Sequence, residues 1–178
     1  SVALIEKEHL GGICLNWGCI PTKAMLKSAE VFDTLNKASD YGVKAENVSF
    51  DLSKIVDRSK KIASQLSSGV KHLLHKNKVE VIDGFGVLEN KNTIVVDNDG
   101  HKISISTSSV IIATGARARE IEGLESDGNL IWNYKHALRP SRMPKKMLVV
   151  GSGAIGVEFA SFYNSLGCKI TVIELLDR

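Results

Sequence analysis

Residues 11–23 read GGICLNWGCIPTK and place Cys14 and Cys19 five positions apart in a chain with only three cysteines. A pair that close can belong to a metal site, be two inert thiols, or work as a redox couple. Zinc normally takes four nitrogen or sulfur ligands. Cys14 and Cys19 supply two and His9 is a third candidate, but Cys168 lies beyond a separate helix pattern and no second ligand pair exists, so no metal is expected. The redox reading has physical support. Pro21 and the helical spacing behind it put Cys19 near a helix N-terminus, where partial positive charge stabilises a thiolate. Two cysteines on one short segment can close into a disulfide and reopen without moving the fold. Lys23, one turn along, adds positive charge near the pair or a cofactor. On spacing alone the inert pair stays open.

A second stretch, GSGAIG at 151–156, has the form of a phosphate-binding loop. Its context gives it weight: the apolar run KMLVV precedes it, a helix pattern follows, and KITVIE closes on Glu174. Gly151 permits the tight turn, Gly153 lets the backbone approach a pyrophosphate, and Gly156 lets the helix pack close to the strand. The helix N-terminus offers free N–H groups and partial positive charge to the phosphates. An acid roughly 20 residues beyond the first glycine accepts hydrogen bonds from the adenosine 2′-OH and repels a 2′-phosphate. Glu174 therefore favours NAD over NADP. A dithiol couple that exchanges electrons with a dinucleotide needs a two-electron relay between them, and a flavin is the usual choice.

The elements that position these residues follow from pattern. SVALIE suits a buried parallel strand, and AMLKSAEVFDTLNKAS a helix after Pro21. Ser53 is the expected N-cap of a second helix with Ile55, Ile62, Leu66, Val70 and Leu73 on one face. VEVIDG, TIVVDNDG and KISIST predict a small antiparallel meander, and SSVIIATGA a further buried strand. Residues 121–144, with Gly123, Gly128, Pro140 and Pro144, are irregular and read as a linker. KMLVV, GSGAIG, VEFASFYNSLG and KITVIE then read as strand, loop, helix and strand. TVIELLDR repeats the form of VALIEKEH, an apolar strand closed by Glu, so a first strand, glycine loop and helix are expected ahead of Ser1 in a longer protein. The expected domains are 1–120, 121–144 as linker, and 145–178.

Composition narrows the partners. An apolar fraction of 43% and a charged fraction of 24% suit a globular core. The net charge of +3 is too small to argue for a nucleic-acid surface. Lysine and arginine crowd Lys54 to Lys78, but Asp57 interrupts the run, Glu80 follows it and no aromatic lies within it, which fits a solvated helix face. No apolar run approaches the roughly 18 residues of a membrane span. Three cysteines are too few and odd for a secreted staple fold, so a reducing compartment is expected.

GGICLNWGCIPTK resembles the redox-disulfide motif of the pyridine-nucleotide disulfide oxidoreductases, IIATGA their second FAD motif, and LVVGSGAIGVEFASFYNSLG with KITVIE their NAD motif. The matches run along the whole chain in the family's order. Leu15 and Ile20 favour the lipoamide branch over glutathione- and mercury-type reductases, while Trp17 departs from the small aliphatic residue usual there. The resemblance implies an α/β fold: an incomplete Rossmann-like FAD-binding domain with a small antiparallel β-meander, plus the first βαβ unit of a second, NAD-binding Rossmann domain.

It also implies roles. Cys14 exchanges with the dihydrolipoyl substrate, and Cys19 lies against the flavin. Glu6 binds the FAD ribose as Glu174 binds that of NAD. Gly11, Gly12, Gly86, Thr114, Gly115 and Ala116 complete the FAD contacts, with Lys23 near the isoalloxazine. Ile155 and Glu158 join Gly151, Gly153 and Gly156 at the dinucleotide, and Lys23 is expected within salt-bridge distance of Glu158. Implied partners are the lipoyl domains of 2-oxo acid dehydrogenase or glycine cleavage complexes and a second copy of the parent enzyme. The family's general base is a His followed by Pro. His9, His72, His75, His101 and His136 lack that Pro and are expected at the surface. This chain alone is expected to bind FAD poorly and not to turn over. A non-catalytic nucleotide-binding module is the rival of another class, and the intact cysteine pair argues against it.

Overall fold

The apolar run at the start of the chain forms β1 (Val2–Glu6), which pairs in parallel with β2 (Val79–Asp83), Val2 opposite Val79 and Glu6 opposite Asp83. The structure is a computed structural model that describes residues 1–177. Two expectations change here. β1 is parallel but not buried, with Val2 65% exposed. VEVIDG also leaves the meander and pairs with β1 instead. Gly84 makes the turn: its N–H donates to the Glu6 carbonyl at 2.9 Å, and a Cβ there would strike Val96 at 2.7 Å. The long connection that a parallel pair requires contains α1 (Gly12–Trp17), α2 (Cys19–Asn36), a 3₁₀ turn (Ala38–Tyr41) and α3 (Leu52–Lys76).

The meander is β3 (Phe85–Asn90), β4 (Thr93–Asn98) and β5 (His101–Ser106), antiparallel in that order. Asp99 and Gly100 join the last two strands, both left-handed at φ 50° and 88°. Two such residues match the right-handed twist of a tight hairpin. Val96, 1% exposed, is the meander's buried centre.

SSVIIATGA does not form the expected strand. Residues 109–116 are neither helix nor strand, and Ile111 and Ile112 are 92% and 76% exposed. β-propensity makes a strand only where another strand offers its hydrogen bonds. Among the described residues none pairs with this run.

The chain falls into two compact units, Ser1–Asn16 with Ser64–Arg117, and Trp17–Ala63 with Ala118 onward. The second holds the larger core, in which Met25, Ala29, Phe159, Phe162, Tyr163 and Cys168 are buried together. Phe162 and Tyr163 meet edge to face with ring centroids 4.9 Å apart. The Tyr163 hydroxyl donates to the Ala137 carbonyl at 2.7 Å, and burial pushes its pKa well up. Asp51, rather than the expected Ser53, caps α3. The Asp51 carboxylate accepts the Lys54 N–H at 3.1 Å and the Ser53 hydroxyl at 2.7 Å, which holds its pKa down. On that helix Ile55, Val56, Ser59 and Ala63 are buried, whereas Leu66 and Leu73 of the expected face are exposed.

The irregular segment at 121–144 is closely tied. Asp127 accepts the N–H groups of Asn129, Leu130 and Ile131 at 2.8–2.9 Å. It contains α4 (Tyr134–Leu138), whose Ala137 and Leu138 enter the core. Asn133 caps α4 by accepting the Lys135 N–H, and His136 Nδ1 accepts the Asn133 N–H at 3.2 Å. His136 is thus a half-buried capping residue, while the other four histidines lie at the surface as expected. β6 (Lys146–Val150), α5 (Ala154–Ser165) and β7 (Lys169–Ile173) complete a parallel βαβ unit. Among the described residues no helix is long and apolar enough to cross a membrane.

Candidate functional site

Cys14 lies in α1 and Cys19 is the first residue of α2, the helices breaking at Gly18. The two cysteines are joined as a disulfide, and both residues are exposed. Local sequence explains the placement. Gly18 ends one helix and starts the next, its carbonyl accepting the Thr22 N–H at 3.0 Å. Pro21 stands in the first turn of α2, where its missing N–H would have had no helical partner. Pro21, Thr22, Ala24 and Met25 bury the inner side of that turn. Cys168 is free and 2% exposed, and burial raises its pKa, so it stays a neutral core thiol. Among the described residues no group of three or more His, Cys, Asp or Glu could hold a metal ion.

The expected ion pair is present. Lys23 Nζ on α2 lies 2.9 Å from Glu158 Oε1 on α5, although the two are 135 positions apart. The lysine side chain is 65% exposed. Screening makes such a pair worth about 0–1 kcal/mol. Its value is therefore in aiming two charges rather than in holding the fold.

Three glycines of the 151–156 loop differ in why they are glycine. Gly151 is left-handed at φ 98°, and its N–H donates to the Ile173 carbonyl at 2.8 Å. At Gly156 a Cβ would lie 2.5 Å from the Gly151 carbonyl oxygen and 3.2 Å from Val149, so α5 can rest on the loop only without a side chain there. Gly153 has φ −64° and nothing within 4 Å of an added Cβ. No neighbour in the chain demands glycine at 153. Beyond glycine's advantage over alanine at an N-cap, room for a ligand to approach the backbone is a physical reason for it. Ile155, at the start of α5, is 64% exposed.

Glu174, just past β7, folds onto this loop. Its Oε2 accepts the Ser152 N–H at 2.7 Å and the Ser152 hydroxyl at 2.6 Å. Oε1 accepts the N–H groups of Leu175 and Leu176 at 2.8 and 3.1 Å. The Ser152 hydroxyl first, then its N–H and the two leucine N–H groups, hold the carboxyl pKa down at about 2. Ser152 was not among the expected site residues. A hydroxyl inside a glycine loop that is followed by a strand-end acid was the available signal.

In the other unit, Glu6 ends β1 and its Oε1 accepts the Glu8 N–H at 2.8 Å. The turn after β1 is tied by Asn16, which donates to the carbonyls of Leu10 and Gly12 at 2.9 Å each. Ser67 also donates to the Leu10 carbonyl, at 2.9 Å. At Gly11 a Cβ would collide with Leu15 at 2.7 Å, while Gly12 faces open space. Gly86 lies in β3 beside Ile5, 3.3 Å from an added Cβ. Thr114, Gly115 and Ala116 fall in the run that is neither helix nor strand. A strand-end carboxylate and a turn open at Gly12 are compatible with a nucleotide here, as the open glycines and Glu174 are in the second unit.

Over all 178 residues the chain matches the family described as pyridine nucleotide-disulphide oxidoreductase. It is 54% identical, over 98% of its length, to a dihydrolipoyl dehydrogenase of Zymomonas mobilis and covers 38% of that protein. Against the dihydrolipoyl dehydrogenase of Chlorobaculum parvum it is 48% identical, covering 100% of this chain and 38% of the relative. The chain thus spans well under half the length of these relatives. Among solved structures, LpdA of Mycobacterium tuberculosis superposes over the whole chain with a TM-score of 0.92 at 28% identity, 39% of that chain being covered. The copper(II) complex of RclA, an HOCl-induced flavoprotein disulfide reductase of Escherichia coli, superposes over 97% of this chain and 36% of its own, at a TM-score of 0.79 and 26% identity.

Proposed function

Since this chain belongs to the pyridine nucleotide-disulphide oxidoreductase family, we propose that it forms part of a flavoprotein that reoxidises protein-bound dihydrolipoyl groups with NAD⁺. The observation that carries the reading is the exposed Cys14–Cys19 disulfide at the start of α2. Cys14 is the thiol that exchanges with substrate. A thiolate of the incoming dithiol attacks its Sγ, the Cys14–Cys19 bond breaks, and Cys19 leaves as a thiolate. The N-terminus of α2 lowers the cost of that charge. The second thiol of the substrate then displaces Cys14, releasing the cyclic disulfide and leaving the protein dithiol.

Glu6, Gly11, Gly12, Gly86, Thr114, Gly115 and Ala116, with Lys23, are the residues proposed to hold FAD. A bound flavin would supply the two-electron relay between the dithiol and nicotinamide. Gly151, Gly153, Ile155, Gly156 and Glu158 are proposed for the dinucleotide. Glu174 is proposed for its ribose, its ionised carboxylate favouring NAD⁺ over a 2′-phosphorylated dinucleotide. Residues 1–120 and 145–178 belong to flavin and nicotinamide domains joined by 121–144. The whole protein works as a dimer on lipoyl domains of 2-oxo acid dehydrogenase or glycine cleavage complexes, in bacterial cytoplasm or mitochondrial matrix.

Steady-state assay of the whole protein separates this from its nearest rival. Dihydrolipoamide with NAD⁺ is expected to turn over at least tenfold faster, by kcat/KM, than NADPH with glutathione disulfide. The reverse order overturns the proposal.

A further inference from the structure

Trp17 stands between Cys14 and Cys19 and carries two cations on its ring. The Arg139 guanidinium carbon is 3.8 Å from the ring centroid and Lys135 Nζ is 5.1 Å from it. Both come from the end of the 121–144 segment, Lys135 within α4 and Arg139 as its C-terminal cap. Trp17 also packs against the core of its unit. Its Nε1 is buried with no hydrogen-bond partner. A tryptophan held for its N–H would have found an acceptor, so the ring faces are what the site uses. A flat guanidinium at stacking distance is the favoured partner of such a face.

Trp17 adjoins Gly18, where the helices break, inside the loop that the disulfide closes. A dithiol must lose chain freedom to close that loop. Pinning one of the enclosed residues removes part of that loss beforehand and favours the closed form. We infer that Arg139, assisted by Lys135, is a positioning residue that pins Trp17 and thereby biases the Cys14–Cys19 couple toward its disulfide. This inference rests on the redox reading of the pair. It gives the departure at Trp17 and the ordered 121–144 segment a shared role.

Equilibration of the whole protein in glutathione buffers, with alkylation and mass spectrometry of the peptide that carries both cysteines, measures the bias. Each disulfide reduced consumes two glutathione thiols and yields one glutathione disulfide, with two electrons and two protons passing to the cysteine sulfurs. Arg139→Ala is expected to shift the equilibrium three- to tenfold toward the dithiol, about 15–30 mV for a two-electron couple. Arg139→Lys keeps the charge but not the stacking plane, and is expected to shift it less. Trp17→Leu is expected to match Arg139→Ala, and the double variant to exceed neither. A shift below twofold in Arg139→Ala, or additive shifts in the double variant, overturns the inference, even if both variants melt at lower temperature. If the unsubstituted protein never forms the disulfide, the redox reading itself fails, an outcome distinct from an unresponsive couple.

Discussion

Replacing Gly153 and Gly156 by alanine, one at a time, separates a ligand's demand for glycine from the fold's demand. At 156 the new methyl would sit 2.5 Å from the Gly151 carbonyl oxygen, and a backbone oxygen cannot rotate away as a side chain can. Overpacking of this kind costs about 1–3 kcal/mol. Alanine's better helix propensity returns about 0.5–1 kcal/mol, so Gly156→Ala is expected to lose up to about 2.5 kcal/mol, with about 1 kcal/mol at the middle of that range. At 153 the φ of −64° and ψ of 164° suit any residue, and the space is open. There the lower chain entropy of the unfolded state stabilises by about 0.4–1 kcal/mol. That offsets the roughly 1 kcal/mol that alanine costs as an N-cap, so stability is expected to stay within about 0.5 kcal/mol. On the proposed dinucleotide site the same methyl would stand where the pyrophosphate approaches the backbone, so NADH affinity is expected to fall on the order of tenfold, about 1.4 kcal/mol. Urea denaturation measures the first effect and NADH fluorescence titration the second. Equal destabilisation by both variants would show that the fold demands glycine at both positions, and unchanged NADH affinity in Gly153→Ala would show that no ligand demands glycine at 153.

Glu174 links loop and pH. Its carboxyl is depressed to about 2 from an ordinary 4.5, so its contribution to stability is present above pH ~4.5 and is lost as pH falls toward about 2. Ser152→Ala should raise the carboxyl pKa, read by NMR titration, and an unmoved pKa excludes the serine as the cause. Tyr163→Phe leaves the buried Ala137 carbonyl without its donor and should cost about 1–3 kcal/mol by urea denaturation; a loss under about 0.5 kcal/mol contradicts that bond. Lys23→Gln should change stability by less than about 1 kcal/mol because the pair is exposed, and a larger loss would mean that the pair holds α2 to α5.

Much of the site was legible because its signals are short-range or motif-borne. The GSGAIG loop carries its strand, turn and helix within one stretch, and the Lys23–Glu158 pair came from the family resemblance. The failures share a cause. SVIIATGA has β-propensity, but propensity does not supply a pairing strand. VEVIDG reads identically as a parallel or an antiparallel strand, and only the turn at Gly84 decides. Asp51 and Ser53 are both good caps, and the structure uses Asp51, whose carboxylate takes the Lys54 N–H while the Ser53 hydroxyl donates to it. Nothing local announces that Arg139 stacks on Trp17, because a cation–ring contact between distant positions leaves no periodicity behind.

On the proposed function, Cys14 and Cys19 exchange electrons with a nicotinamide dinucleotide. Anaerobic addition of NADH to the whole oxidised protein, followed by alkylation and peptide mass analysis, tests it directly. Labels are expected at Cys14 and Cys19 together only after NADH, while buried Cys168 is labelled only after unfolding. Thiols reactive before any reductant, or a pair that opens to dithiothreitol but never to NADH, would contradict that exchange.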